Sequence, residues 1–418
     1  MGTVLLVNPN RYRNPPVVPV GLEYIAHALR EHGFEPRAVD LCFSEGPREE
    51  LEAAIRDIGP MAVCFTVRNV DSVLYPGTEY FLPEIKGLVQ AAKAATPAPV
   101  IIGGAGVGAD PEGVLKLLGA DAAVQGPGET SLPRLLRRAR FPTGLVVKGA
   151  PPARVGRLKV FDYAPYMKEG GVMGFETHKG CSSACAFCLE AGSPVSFRDP
   201  RDIAREIESL TGQGFAHFHL CDSEFNEDRD FSAAVLERIS GLGIRWALYM
   251  KPEGPHPRVF SLLRRSGAYL VTFSVDTFRR PPGYWAGVRR SLELARENGI
   301  RTSVDLLSGF PGEDEDTLRR AIDFFREARP DDVVVNAVIR LYRGLAVTGI
   351  VEADPALRGR LLGAAGGSYL EPLFYSHVEA GRLAEILGDD PLFRVAGREK
   401  VVNYQKAPGW REAPGRPG

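Results

Sequence analysis

Nowhere in its 418 residues does the chain hold an apolar run approaching the ~18–20 residues that a membrane-spanning helix needs, so an integral helical membrane protein is excluded. Net charge is also lacking. Lys and Arg total 51 against 52 Asp and Glu, a formal charge of −1. That balance argues against a chain built to grip nucleic acid or an anionic membrane, and neither is expected as a partner. The opening MGTVLLVNPN has neither the basic start nor the cleavage site of a secretory signal, and Leu6 stands where myristoylation favours Ser or Thr. A cytoplasmic protein is the expectation. Six cysteines are too few for a disulfide scaffold in a chain of this length. Short-period repeats are missing, and the terminal APGRPG is the one low-complexity piece. What remains is an ordinary globular composition, 44% apolar and 25% charged, long enough for two or three domains.

Apolar periodicity then sets the organisation. TVLLV is a short buried strand halted by Asn8-Pro9-Asn10. GLEYIAHALREHGF follows with Leu22, Ile25, Ala26 and Leu29 at helical spacing and Gly33 at the end. Strands PRAVDL, MAVCFTV, PVIIGG and AAVQG alternate with further helices. This pattern predicts an α/β fold whose residues 1–140 form a doubly wound, Rossmann-like parallel sheet. Residues 141–170, rich in Pro, Gly and basic side chains, read as a linker. Strand–helix alternation resumes over 171–345 with FAHFHLCD, RWALYM, AYLVTFSVD, RTSVDLLSGF and DDVVVNAVIRLY. A full eightfold barrel needs about 250 residues, so a partial (β/α)6 TIM-type barrel is expected. Residues 346–418 read as a small mixed C-terminal extension with the aromatics Tyr369, Phe374 and Tyr375.

Cys42, Cys64 and Cys221 are scattered in apolar surroundings, whereas Cys181, Cys185 and Cys188 crowd into ETHKGCSSACAFCLE. Three thiolates on one compact loop can hold three irons of a four-iron, four-sulfur cluster and leave the fourth open. A zinc site is the alternative, but it wants four protein ligands, and the nearest further donor, His178, precedes the first Cys by only three residues. Downstream, Asp222-Ser223-Glu224-Phe225-Asn226 closes a strand where barrel enzymes collect their chemistry; a solvated acidic loop is the blander reading. In the first domain, Gly103-Gly104-Ala105-Gly106 and Gly126-Pro127-Gly128-Glu129 follow strands where a doubly wound sheet binds its ligand, and glycine there permits close backbone approach.

CSSACAFC resembles the CxxxCxxC motif of radical S-adenosylmethionine (SAM) enzymes. The resemblance implies a [4Fe-4S] cluster on Cys181, Cys185 and Cys188 whose free iron binds the SAM amino and carboxylate groups, with Phe187 beside the adenine. It gives Glu224, with Asp222 as second choice, the task of orienting the SAM amine. VTFSVDTF is similar to the family's fourth-strand signature and would turn Ser274 and Asp276 to the ribose. LSGFPGE resembles the fifth-strand segment beside the adenine, or is an ordinary Pro-Gly turn. IRLYRG resembles the sixth-strand Arg-x-Tyr of one subgroup, so Arg340 would pair with a SAM or substrate carboxylate, or form a barrel-base ion pair.

The order VNP, PVGLEYIAHALREHGFEPRAVD, IIGGAGVGADPE and GADAAVQGPGET resembles the cobalamin-binding domain fused ahead of many radical SAM domains. Gly103, Gly104, Gly126, Gly128 and Glu129 would then border cobalamin, although Pro127 replaces the family's usual Glu and removes one polar contact. No Asp-x-His-x-x-Gly stretch occurs, and the only histidines of this region are His27 and His32, so a histidine below cobalt is not expected. FTVRNVD instead brings Arg68 and Asn69 to where the lower face would rest, as in the tryptophan-methylating subgroup. A guanidinium cannot ligate cobalt, so Arg68 would keep that face ligand-free, or would contact a propionamide or phosphate. The implied enzyme is a cobalamin-dependent radical SAM C-methyltransferase. It would move a methyl from SAM via methylcobalamin to a carbon of a small, aromatic or amino-acid-derived natural-product substrate, with flavodoxin or ferredoxin as reductant. Transfer to a nucleophilic aromatic carbon would need a base, for which Glu224, Asp276 and Tyr342 are candidates. A cobalamin-dependent cyclase without methyl transfer, a radical SAM enzyme with a vestigial cobalamin domain and a cobalamin sensor are the alternatives.

Overall fold

The computed structural model describes residues 2–13, 15–138, 143–152, 154–363 and 368–396; the terminal APGRPG lies outside them. The chain divides into two compact units, one of residues up to 171 apart from Leu74–Gly77 and joined by Ser368–Pro372, the other of the remainder.

In the first unit six strands run parallel in the order β2-β1-β3-β4-β5-β6. They are β1 (Thr3–Asn8), β2 (Glu35–Asp40), β3 (Ala62–Thr66), β4 (Val100–Gly103), β5 (Ala122–Gln125) and β6 (Leu145–Lys148). Val4, Leu5, Leu6 and Val7 are wholly buried, as a central strand covered on both faces requires. Chain order reverses between β1 and β3, and the crevice at their carboxyl ends is where such sheets take ligands. Helix α1 (Val20–Glu31) buries Leu22, Tyr24, Ala26 and Leu29 and turns out at Gly33, whose φ is +80°.

The sequence reading of 141–170 as a linker needs correction. LVVK is β6, paired along β5 from Ala122↔Leu145 to Gln125↔Lys148. The chain beyond it is fastened to α1 through Glu23, which is fully buried. Glu23 accepts from Arg157 Nε at 2.6 Å, from the Tyr163 hydroxyl at 2.7 and 2.8 Å, and from the amide of Val160 at 3.3 Å. Composition suggested a solvated tether; the basic residue it counted neutralises a buried acid.

The second unit carries a seven-stranded parallel sheet in the order β18-β14-β13-β12-β11-β10-β7. Six strands succeed one another with intervening helices: β7 (Met173–Phe175), β10 (His217–Leu220), β11 (Arg245–Met250), β12 (Ala268–Asp276), β13 (Arg301–Leu307) and β14 (Asp332–Asn336). An antiparallel hairpin, β8 (His178–Cys181) and β9 (Ser193–Phe197), interrupts the series after β7. β15 (Ile339–Arg340), β16 (Leu361–Gly363) and β17 (Leu373–Tyr375) make a small antiparallel sheet. The seventh strand, β18 (Phe393–Val395), comes from the segment expected to be a separate extension and pairs Val333↔Phe393 on the free side of β14. It covers an edge that six strands alone would leave unpaired.

Candidate active site

The three thiols lie on the β8–β9 hairpin, which carries them past the end of β7. Register slips between Lys179 and Cys181, where Gly180 has φ +86° and a Cβ would stand 2.2 Å from the carbonyl oxygen of Pro194. Only glycine fits that bulge. The following loop closes on itself: Gly192 donates to the Ser183 carbonyl at 2.8 Å, and the Ser193 hydroxyl accepts from the Cys181 amide at 3.0 Å while donating to the Glu190 carbonyl at 2.7 Å. Cys181 is buried, Cys185 and Cys188 half-buried. Burial pushes the Cys185 thiol up to about 11, with the negative fields of Asp276, Cys188 and Cys181 adding to it. Burial likewise raises Cys181 and Cys188. Thiolates so placed need a cationic partner, and thiols that feel one another suit a shared inorganic cluster. Among the described residues no three His, Cys, Asp or Glu converge on one ion. A mononuclear site requires that convergence, whereas a cubane spreads three thiolates over three irons. His178 has other contacts: its Nδ1 lies 3.1 Å from Asp222 Oδ2 and from the Thr177 hydroxyl.

Asp222 meets Thr177 as well, through its amide at 2.8 Å and its hydroxyl, and so joins β10 to the base of the hairpin. Glu224, two residues on, is 9% exposed, and its Oε2 has no hydrogen-bond partner among the described residues. Burial raises its carboxyl to about 8 against opposing contributions from a Ser274 hydrogen bond and the Lys251 charge. A buried acid with one oxygen open is suited to receive a cation. Asp305 neighbours Ser274 across β12 and β13, a juxtaposition that no single segment of sequence reveals. Asp276 is ion-paired with Arg280 and accepts from the Phe278 amide at 3.0 Å, and burial dominates the net rise in its pKa.

Phe187 packs on Phe310 at 5.6 Å between centroids, and Phe310 on Phe278 at 4.9 Å. The LSGFPGE turn holds Phe310 in place through Glu313, whose Oε2 accepts from the amides of Gly309 and Phe310 at 2.9 and 3.0 Å. Its other oxygen accepts from the Thr277 hydroxyl at 2.7 Å. Sequence reading valued the Pro-Gly pair and overlooked this carboxylate. Arg340 lies on β15, 6% exposed, with its guanidinium over Tyr342 at 4.4 Å and facing Phe374 at 5.7 Å. It donates to the carbonyls of Leu341 and Leu373, so Arg340 and Tyr342 are joined to the small sheet.

In the first unit Arg68 follows β3 at the switch-point crevice. It lines a cleft of about 80 Å³ with Pro9, Asn10, Thr66, Asn69 and Phe81. Arg68 is half-buried and has no hydrogen bond or ion pair among the described residues, while Asn69 is exposed. The glycines after β4 brace this loop. Val67 donates to the Gly103 carbonyl at 2.7 Å, and Gly106 donates to that of Val67 at 2.8 Å. A Cβ on Gly104 would stand 2.6 Å from the Val67 oxygen, and one on Gly106 2.8 Å from its Cγ1. Their first use is thus to seat the Arg68 loop. Gly126 turns at φ +82°, Gly128 abuts Ile25, and Glu129 is buried. His32, at the C-cap of α1, bonds the Ala28 carbonyl at 2.7 Å, and His27, on α1, lies against Gly156. An unpaired cation beside a glycine-built crevice fits a ligand with amide and phosphate arms.

Residues 12–136 match the B12 binding domain family and residues 175–325 the radical SAM superfamily. The chain thus carries a B12-binding domain ahead of a radical SAM domain. It is 27% identical to tryptophan 2-C-methyltransferase of Streptomyces laurentii, over 84% of this chain and 75% of that one. It is 26% identical to tRNA-2-methylthio-N(6)-dimethylallyladenosine synthase of Mycolicibacterium smegmatis, over 70% of this chain and 61% of that one. Among solved structures, the radical SAM methyltransferase TsrM of Kitasatospora setae, with tryptophan and a SAM analogue bound, superposes with a TM-score of 0.84 at 24% identity, covering 98% and 94% of the two chains. The same protein with cobalamin and a [4Fe-4S] cluster gives 0.80 at 24%, covering 93% and 91%. These two likenesses establish the fold.

Proposed function

We propose that the chain is a cobalamin-dependent radical SAM methyltransferase acting on a carbon of a small aromatic or amino-acid-derived molecule. The observation that carries this reading is its likeness to a methyltransferase over 84% of its length, across both the B12-binding and the radical SAM domain. When bound, the cluster would supply an electron and an open iron for SAM, and cobalamin a cobalt able to carry a methyl group. Cys181, Cys185 and Cys188 would hold the cluster. Glu224, steadied by Ser274, would receive an ammonium at Oε2; burial keeps its carboxyl protonated near neutral pH until such a cation compensates the charge. Phe187, Phe310 and Phe278 offer flat apolar walls suited to a nucleobase. Arg68 would face a corrin with a cation that cannot ligate it. Asp222, Asp276 and Arg340 serve best as organisers, each already engaged by protein groups. A low-potential flavodoxin or ferredoxin would be the reductant.

Incubation of the reconstituted enzyme with methyl-labelled SAM and tryptophan or related indoles tests the reading. Label in the recovered product is the expected result. A product formed without label would instead favour a cyclase.

A further inference from the structure

Glu227 belongs to the same acidic segment as Glu224, yet its side chain is only 1% exposed. It accepts from the amide of Ser182 with both oxygens at 3.2 Å and from the Ser182 hydroxyl at 2.5 Å. Lys251 Nζ stands 2.7 Å from its Oε1 and also donates to the Ser182 hydroxyl at 3.1 Å. Lys251 is in turn fixed by a reciprocal pair: its amide donates to Asn226 Oδ1 at 2.8 Å, and Asn226 Nδ2 donates to its carbonyl at 3.0 Å. Three elements therefore meet at one carboxylate: the thiol hairpin, the loop after β10 and the end of β11. The Glu227 side chain also reaches the Cys181 thiol. Its ion pair with Lys251 and the bonds it accepts at both oxygens from Ser182 are those of a carboxylate anion.

We propose that the Glu227–Lys251 pair is a charge-balanced brace of the cysteine loop that sets the reduction potential of the cluster held there. Glu227 and Lys251 are positioning residues, and the inference rests on the reading that the three thiols hold a four-iron cluster. Reduction adds one negative charge to the cluster. An anion beside a ligating sulfur opposes that charge, and the ammonium paired with the anion cancels the opposition. Removing one partner unbalances the field, with a sign set by the partner removed.

The full-length protein, reconstituted with iron and sulfide, is titrated at an electrode with redox dyes, and cluster reduction is followed by visible absorbance and electron paramagnetic resonance. Glu227→Gln leaves the ammonium uncompensated and is expected to raise the midpoint potential. Lys251→Met leaves the carboxylate uncompensated and is expected to lower it. Each shift should correspond to about a tenfold change in the ratio of reduced to oxidised cluster, about 59 mV for one electron. The double variant should return toward wild type. Shifts of the same sign, or none in cluster-loaded variants, overturn the inference. A wild-type protein that takes up no iron overturns the functional reading itself and this inference with it. In the cluster-free protein, Glu227→Ala should speed hydrogen exchange at the Ser182 amide at least tenfold, and unchanged exchange there contradicts the brace.

Discussion

Glu224 shows how one buried carboxyl ties stability to ligand recognition. Its folded pKa of about 8 lies above the ordinary value of 4.5, because burial penalises the anion more than Ser274 and Lys251 relieve it. The unfolded chain therefore releases this proton first as pH rises, and the contribution is complete below about 4.5 and lost on passing 8. Ligand-free protein should lose on the order of a few kcal/mol between pH 5 and 8 at this site, and Glu224→Gln should flatten that slope in denaturant titrations. Equal slopes in both proteins would show that the group is not buried as described. Gly180 presents a steric case. An alanine there must leave φ +86° and clear a backbone oxygen at 2.2 Å, so Gly180→Ala should cost about 1–3 kcal/mol and reduce iron uptake. Arg68 is tested by spectroscopy: Arg68→Ala should change the absorption spectrum of bound cobalamin, and an unchanged spectrum with unchanged turnover would remove its assigned role.

At the scale of elements, the parts of the proposed site that the sequence could suggest were those written in a few consecutive residues. The thiols, Phe187 and Glu224 each sit in such a run. The parts that were not legible are pairings across the fold. Glu227 meets Ser182 across 45 residues of chain, and Glu313 reaches Thr277 across 36. The β8–β9 hairpin escaped notice because KGCSSACAFCLEAGSPV carries no alternation, and its bulge at Gly180 breaks what pattern there is. Arg340 was read from a motif as a carboxylate partner or a structural ion pair, and its contacts with Tyr342, Phe374 and two carbonyls, set by the fold, could not be read from that motif. The Glu313 turn gives a further expectation. Glu313→Ala frees two buried amides and the grip on Phe310, which should cost about 1–3 kcal/mol and raise the KM for SAM more than it lowers kcat. An unchanged KM would separate Phe310 from the nucleobase.

For the molecule as a whole, strand–helix alternation was enough to anticipate a doubly wound sheet followed by a six-stranded partial barrel. It could not anticipate β6, four residues in a stretch with linker composition, or β18, three residues that return from the tail to cover β14. Both are edge strands, defined by the neighbour they cover more than by a pattern of their own. The functional account depends on the cysteine hairpin, so its most direct test is metal content. Anaerobic reconstitution of the wild type should give about four irons and four sulfides per chain, and Cys185→Ala should lose most of both. A wild type that binds one zinc and no sulfide, or a Cys185→Ala protein that keeps its full iron, would contradict the account.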